Sequence, residues 1–265
     1  MRSHRFICTL LVLALTLSAL TACSDKTPVQ LVQRANDALV GETYSVEIDI
    51  DYHSVDTEVA GIFEQLERSE TTLYFKDGSF RSVNDMTIND GDGDVSFHTV
   101  YTVVDGVLYS NMVYVMSDMR NEVKSKALID EEKTDALIDR LSLVGDISAD
   151  DFSGASLVKK DGDTCLSTSD VSEQTRIALE RTLISQLEAS SDTVKLTRVK
   201  LSVELDGKRY DTVTVDCTFD VTLNNKSYFV GMTLELEYDY DGHFTLSAPE
   251  DASSYGTVQL DQIID

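Results

Sequence analysis

Thr212-Val213-Thr214-Val215-Asp216-Cys217-Thr218-Phe219-Asp220-Val221-Thr222-Leu223 is the stretch on which the fold turns. Val213, Val215, Cys217, Phe219, Val221 and Leu223 are apolar, and the residues between them are threonines and aspartates. Side chains alternate across a strand, so this pattern describes a strand with one dry face and one wet face. It recurs at Tyr44–His53, where Tyr44, Val46, Ile48, Ile50 and Tyr52 alternate with Ser45, Glu47, Asp49, Asp51 and His53. It recurs again from Tyr228 to Asp241, with Val230, Met232, Leu234, Leu236 and Tyr238 on the apolar side. These runs exceed the usual strand of about five or six residues. Strands so long and one-sided are expected to curl around whatever covers the dry face. Further strands are predicted near 70–77, 79–89, 95–104, 107–116, 155–160, 163–168 and 195–205.

The connections agree. Asp-Gly occurs at Asp77-Gly78, Asp105-Gly106, Asp161-Gly162, Asp206-Gly207 and Asp241-Gly242, each between strand-like runs. Both residues tolerate the positive φ of a type I′ turn, so the dipeptides predict a hairpin-built antiparallel sheet. Helices are few. Thr27 and Pro28 suit the N-cap and first position of a helix running to Val40, with Gly41 as its stop and Leu31, Val32, Ala35, Ala38 and Leu39 as its buried stripe. A second helix is predicted within 130–143, using Ala136, Leu137, Ile138 and Leu141. A third is predicted from Val171 to Ala189, capped by Asp170 with Glu173 as partner, and burying Ile177, Leu179, Leu183, Ile184 and Leu187. The expected fold is therefore α+β: a long antiparallel meander sheet curled into a half-open barrel and covered by about three helices. Residues 28–265 form one domain of this kind. Each half opens with a helix feeding a long amphipathic strand, which admits a reading as two similar lobes.

The N-terminus supplies an address. Arg2, His4 and Arg5 precede an apolar run from Phe6 to Leu20, and Leu20-Thr21-Ala22-Cys23 follows. This is the layout of an export signal, and its ending resembles the lipobox of bacterial lipoproteins. The resemblance implies a signal peptide over 1–22, cleavage before Cys23, a lipid on the Cys23 sulfur and a short tether over 23–27. The apolar run, nearer 15 residues than the roughly 20 of a spanning helix, argues against a transmembrane anchor. The expected location is extracytoplasmic, held to the cell membrane by the N-terminal lipid. The tether, at no more than about 3.5 Å per residue, holds the domain within about 20 Å of the bilayer.

Composition narrows the partners. The signal carries two of the 22 basic residues and none of the 47 acidic ones, so processing takes the net charge from −25 to −27. A surface so acidic repels nucleic acid and anionic headgroups, which excludes a nucleic-acid partner. The 42% apolar content argues for a packed core. Once Cys8 leaves and Cys23 is lipidated, Cys165 and Cys217 remain, compatible with one disulfide or with two free thiols.

Candidate chemistry is sparse. Asn89-Asp90-Gly91-Asp92-Gly93-Asp94 spaces carboxylates like the start of an EF-hand, but Val95 falls where that loop needs glycine and Tyr101 where it needs glutamate. An acidic turn is the better reading. His53, His98 and His243 lie on separate strands without ligand spacing, so no metal is expected. There is no G-x-S-x-G elbow, no histidine near Cys165 or Cys217 and no phosphate loop, so neither a cofactor nor an enzyme is expected. What remains is the dry face of the long strands, where Val46, Ile48, Ile50, Val215, Phe219, Val221, Leu234 and Leu236 are the candidate ligand-facing residues.

The N-terminal helix, the Gly41-Glu42-Thr43-Tyr44 turn into a long amphipathic strand, the meander and the helices inserted in mid-chain together resemble the LolA/LolB lipoprotein-carrier superfamily, closest to its LppX/LprG-like lipid-anchored members. The resemblance covers most of 27–240 in architecture. It implies a half-open barrel carrying lipid or a lipoprotein cargo in its concave face. The alternative is a surface interaction or sensor domain that docks a basic partner protein through its acidic face.

Overall fold

The computed structural model describes residues 26–53, 55–66, 69–89, 94–116, 119–142, 147–160, 162–187, 193–223 and 225–264. The signal peptide, Cys23, Asp90 and Asp92 lie outside the described residues. In chain order the elements are α1 (Pro28–Leu39), β1 (Tyr44–His53), α2 (Ala60–Leu66), β2 (Ser69–Lys76), β3 (Ser79–Asn89), β4 (Asp94–Val104), β5 (Val107–Met116), β6 (Met119–Leu128) and α3 (Glu131–Ser142). A 3-10 turn (Ala149–Phe152) leads to β7 (Ser156–Lys160), β8 (Asp163–Thr168), α4 (Glu173–Gln186), β9 (Val194–Asp206), β10 (Arg209–Leu223) and β11 (Lys226–Asp239). The chain ends with a second 3-10 turn (Ala252–Ser254), β12 (Gly256–Thr257) and α5 (Asp261–Ile264).

One twelve-stranded sheet contains every strand, in the order β12-β6-β5-β4-β3-β2-β1-β11-β10-β9-β8-β7. It is two meanders, β1–β6 and β7–β11, welded where β1 pairs antiparallel with β11. The sheet is not closed: β12 and β7 are its two ends. This is the α+β meander expected from the alternation.

The turns show why the chain reverses where it does. Asp77 and Gly78 take φ 51° and 73°, and Asp105 and Gly106 take φ 53° and 72°, the two-residue type I′ geometry that left-handed backbone demands. Asp206-Gly207 differs in detail, because Asp206 still pairs with Arg209 and Gly207-Lys208 form the loop, with Gly207 at φ 62°. Asp241-Gly242 closes no hairpin; it starts an irregular segment after β11. The β10–β11 reversal uses Asn225 instead, at φ 61°, since asparagine also tolerates that region.

The helices cover the dry face. Thr27 caps α1 in a full capping box with Gln30, Pro28 occupies its first turn, and Gly41 at φ 81° ends it. Val32 and Ala35 of α1, Leu137 of α3, Leu179 and Leu183 of α4 and Phe152 share one hydrophobic cluster with the inward residues of the sheet. Two details correct the expectation for α4. Its cap is Ser172, whose Oγ accepts from the Thr175 N–H at 3.2 Å, and Asp170 instead donates its own N–H to Thr168. Ile177 is 39% exposed. It stands two positions, about 200° of helical turn, from the buried Leu179.

After β11 the chain crosses the wet face. Phe244 meets Tyr74 edge-on with ring centroids 5.1 Å apart, and Lys76 Nζ donates to the Phe244 carbonyl. Tyr255 meets Tyr109 in the same way, and β12 then pairs parallel with β6. Among the described residues no helix is long and apolar enough to cross a membrane.

Candidate functional site

Seven of the eight expected ligand-facing residues, Val46, Ile48, Val215, Phe219, Val221, Leu234 and Leu236, are no more than 4% exposed, and Ile50 is half-buried. They sit on β1, β10 and β11, the middle of the sheet, in the same cluster as α1 and α4. There the helices seal the dry face as an ordinary core.

The open part of that face lies on β3–β6. Pairing register places residues in rows across the strands. Phe75, Phe80, Val103, Leu108 and Ala127 form an apolar row that belongs to the core. The next two rows are largely polar on β2–β4, with Ser82, Tyr101, Ser110 and Ser125 in one and Thr71, Asn84 and Thr99 in the other, which runs on into Met112 of β5 and Val123 of β6. Asn84 Nδ2 donates to Ser69 and Thr71, at 2.9 and 2.7 Å. Beyond this belt the face turns apolar again. Met86, Phe97 and Tyr114 share a row, and Ile88, Val95, Met116 and Met119 share the last. Met112, Met116, Met119 and Val123 are 38%, 37%, 55% and 55% exposed. Apolar side chains contiguous over two rows and left in water mark an interaction surface. Thioether side chains suit it, because they adapt to occupants of irregular shape.

At the other end of the same strands, the Asp77-Gly78 and Asp105-Gly106 turns, the C-terminal end of α1 and the start of α3 enclose a cleft of about 450 Å³. Phe75, Phe80, Val103, Ile129 and Ile138 floor it, and carboxylates stand at its rim. Beside it runs an aromatic ladder. Tyr44 stacks on Phe75 at 4.7 Å, Tyr210 lies 5.3 Å from Tyr238, and Arg209 sits over Tyr240 at 4.7 Å while pairing with Glu42 at 2.9 Å. Burial pushes the Tyr240 phenol well above its ordinary range, and Tyr44 and Glu42 add to the shift.

The wet face is acidic where β1 meets β11. Glu47 stands directly opposite Glu237, and Asp49 opposite Glu235. None of these four joins an ion pair among the described residues. The histidines do not converge: His98 Nδ1 lies 2.7 Å from Asp85, His53 Nε2 lies 3.7 Å from Asp216, and His243 is exposed. Among the described residues no group of three or more His, Cys, Asp or Glu could hold a metal ion.

The two cysteines are free. Cys165 pairs in register with Glu204 of β9 on the wet face, donating to its Oε1 at 3.3 Å, whereas Cys217 is buried on the dry face opposite Val199. Opposite faces, an intervening strand and a five-residue offset along β9 put them beyond the roughly 7 Å between Cα atoms that a disulfide spans.

No family model and no curated protein matches the sequence. Among solved structures the chain is similar to an N-terminal dehydratase from the difficidin assembly line, at 9% identity, covering 74% of this chain and 94% of that one, with a TM-score of 0.19. It is also similar to the dehydratase domain of the CurJ module of curacin polyketide synthase, at 10% identity, covering 81% and 83%, with a TM-score of 0.14. These neighbours are enzymes, a finding that stands against the expectation of a chain without enzymatic activity. At such TM-scores they carry no argument for a dehydratase fold, active site or activity.

Proposed function

We propose that the chain is a lipid-anchored, extracytoplasmic lipoprotein that holds a hydrophobic or lipidated ligand on the open half of its dry face. The observation that carries the reading is the exposed apolar surface at the end of β3–β6 away from the Asp-Gly turns, led by Met112 and Val123 at the edge of the polar belt and Met116 and Met119 beyond it. The lipobox-like ending at Cys23 supports the anchoring. The resemblance to the LolA/LolB superfamily supports the cargo class. Each square ångström of apolar ligand surface buried there contributes roughly 25 cal/mol.

The test is native mass spectrometry and solvent extraction of the processed protein beside a Met116→Glu variant. Wild type is expected to release bound lipid and the variant to release little. Absence of lipid from both, with no uptake of a fluorescent acyl probe by wild type, overturns the reading. For the anchor, a Cys23→Ser variant is expected to leave the membrane fraction, and its retention there overturns lipidation.

A second reading rests on the facing pairs Glu47/Glu237 and Asp49/Glu235. Unneutralised carboxylates in register favour docking of a basic partner protein on the wet face. Capture of such a partner is expected to weaken steeply between about 0.05 and 0.5 M salt; binding indifferent to salt counts against it.

A further inference from the structure

The cleft at the Asp-Gly end of β2–β5 lies at the opposite end of those strands from the open half and does not depend on the reading above. Its floor is apolar, from Phe75, Phe80 and Val103 on the sheet and Ile129 and Ile138 beside it. Its rim carries Asp77, Asp105, Glu131 and Asp135, all exposed. None of these four carboxylates joins an ion pair or a side-chain hydrogen bond among the described residues. The other lining charges are already engaged. Asp130 accepts the Lys133 N–H at 2.9 Å as the cap of α3, Glu42 pairs with Arg209, and Lys76 turns its ammonium to the Phe244 carbonyl across the sheet. The mouth of the cleft is thus ringed by negative charge with nothing to balance it.

We propose that this cleft binds a small amphipathic cation, its apolar body on the Phe75–Phe80–Val103 floor and its ammonium or amine among the four rim carboxylates. The volume of about 450 Å³ lies within the range of sites for single small molecules. The rim discriminates by charge: an anion of the same shape meets repulsion from all four carboxylates, and a neutral molecule gains only the floor. Because the carboxylates are exposed, pairing them with a cation carries little of the desolvation cost that burdens buried ion pairs.

Calorimetry of the processed protein with dodecyltrimethylammonium, dodecyl maltoside and dodecyl sulfate, each below its aggregation threshold, tests this. The cation is expected to bind at least about tenfold more tightly than the neutral probe at about 50 mM salt, with the anion weakest. A triple variant, Asp77→Asn, Asp105→Asn and Asp135→Asn, keeps side-chain shape, and asparagine tolerates the positive φ of positions 77 and 105. It is expected to bind the cation no better than the neutral probe. A Val123→Glu variant, altered only in the open half, is expected to keep the cation preference. Equal affinity for the three probes, an undiminished preference in the triple variant, or loss of cation binding in Val123→Glu each overturns the proposal.

Discussion

At Gly231 the sheet has no room for a side chain. The residue pairs with His53 across β1 and β11, and a Cβ there would press into the His53 ring and sit 2.8 Å from its carbonyl oxygen. Backbone cannot retreat as a flexible side chain can, so Gly231→Ala is expected to cost about 1–3 kcal/mol by denaturant titration, and an unchanged midpoint refutes the steric argument. Cys217 offers a titration probe. Burial raises its thiol from an ordinary 9.0 to about 12, with Asp216 adding to the shift. The unfolded chain loses this proton first as pH climbs. The thiol's contribution to stability is therefore complete below about pH 9 and lost as pH rises toward 12. Urea midpoints between about pH 8 and pH 11 are expected to fall less in Cys217→Ala than in wild type, and parallel profiles exclude the thiol as a source. Alkylation of the native protein is expected at Cys165 and, before unfolding, not at Cys217.

At the scale of elements, β6 shows both what a sequence conceals and how the fold compensates. Met119-Arg120-Asn121-Glu122-Val123-Lys124-Ser125-Lys126 has no regular alternation, because a strand beside the sheet's end, covered on its outer side only by the two-residue β12 and with one partly open face, is under little pressure to sort its residues. Its signal is absent for the same reason that the open surface exists. The seven-residue α2 escapes notice because two turns are too short for a periodic stripe. By contrast β1, β3, β5 and β8 end where alternation and turn residues end. The site was the least legible part: Val46 and Val123 are both inward apolar residues, and only the landing of α1 and α4 on the middle of the sheet separates core from open surface. The C-terminal segment guards β6. Lys124 lies 2.8 Å from Asp251 and 3.0 Å from Glu122, which hold its ammonium above the ordinary lysine range, and Lys126 Nζ donates to the Ala252 carbonyl at 2.8 Å. A chain ending at Ala248 loses the contacts to Asp251 and Ala252 together with β12, and leaves the β6 edge unpaired. Light scattering is expected to show concentration-dependent association of the truncated chain, and a monodisperse truncation refutes an edge-guarding role.

Across the whole molecule, a net charge of −25 opposes compaction, and two facing carboxylate pairs of it fall on the weld between the two meanders. Glu47 and Glu237, like Asp49 and Glu235, face each other in register, an arrangement that destabilises a sheet relative to neutral pairs. Thr72 flanks Glu47 on β2, and Thr212 flanks Glu237 on β10, so neither cross-strand neighbour brings a positive charge. The weld holds because Val46, Ile48, Leu234 and Leu236 bury the other face of the same strands. Two consequences separate local from global repulsion. Glu47→Gln relieves one facing pair and is expected to stabilise the protein by about 0.2–1 kcal/mol at low salt. Raising salt from about 0.01 to about 0.5 M shortens the screening length from about 30 Å to well under 10 Å, so the wild-type melting temperature is expected to rise and the advantage of Glu47→Gln to shrink. A gain in Glu47→Gln that persists undiminished at high salt would show that packing rather than charge limits this strand pair. Destabilisation of Glu47→Gln at every salt concentration would show that the carboxylate is already neutralised by a group of the protein itself. In the first case the wet face gains nothing from its charge, and in the second the docking of a basic partner there loses its electrostatic basis.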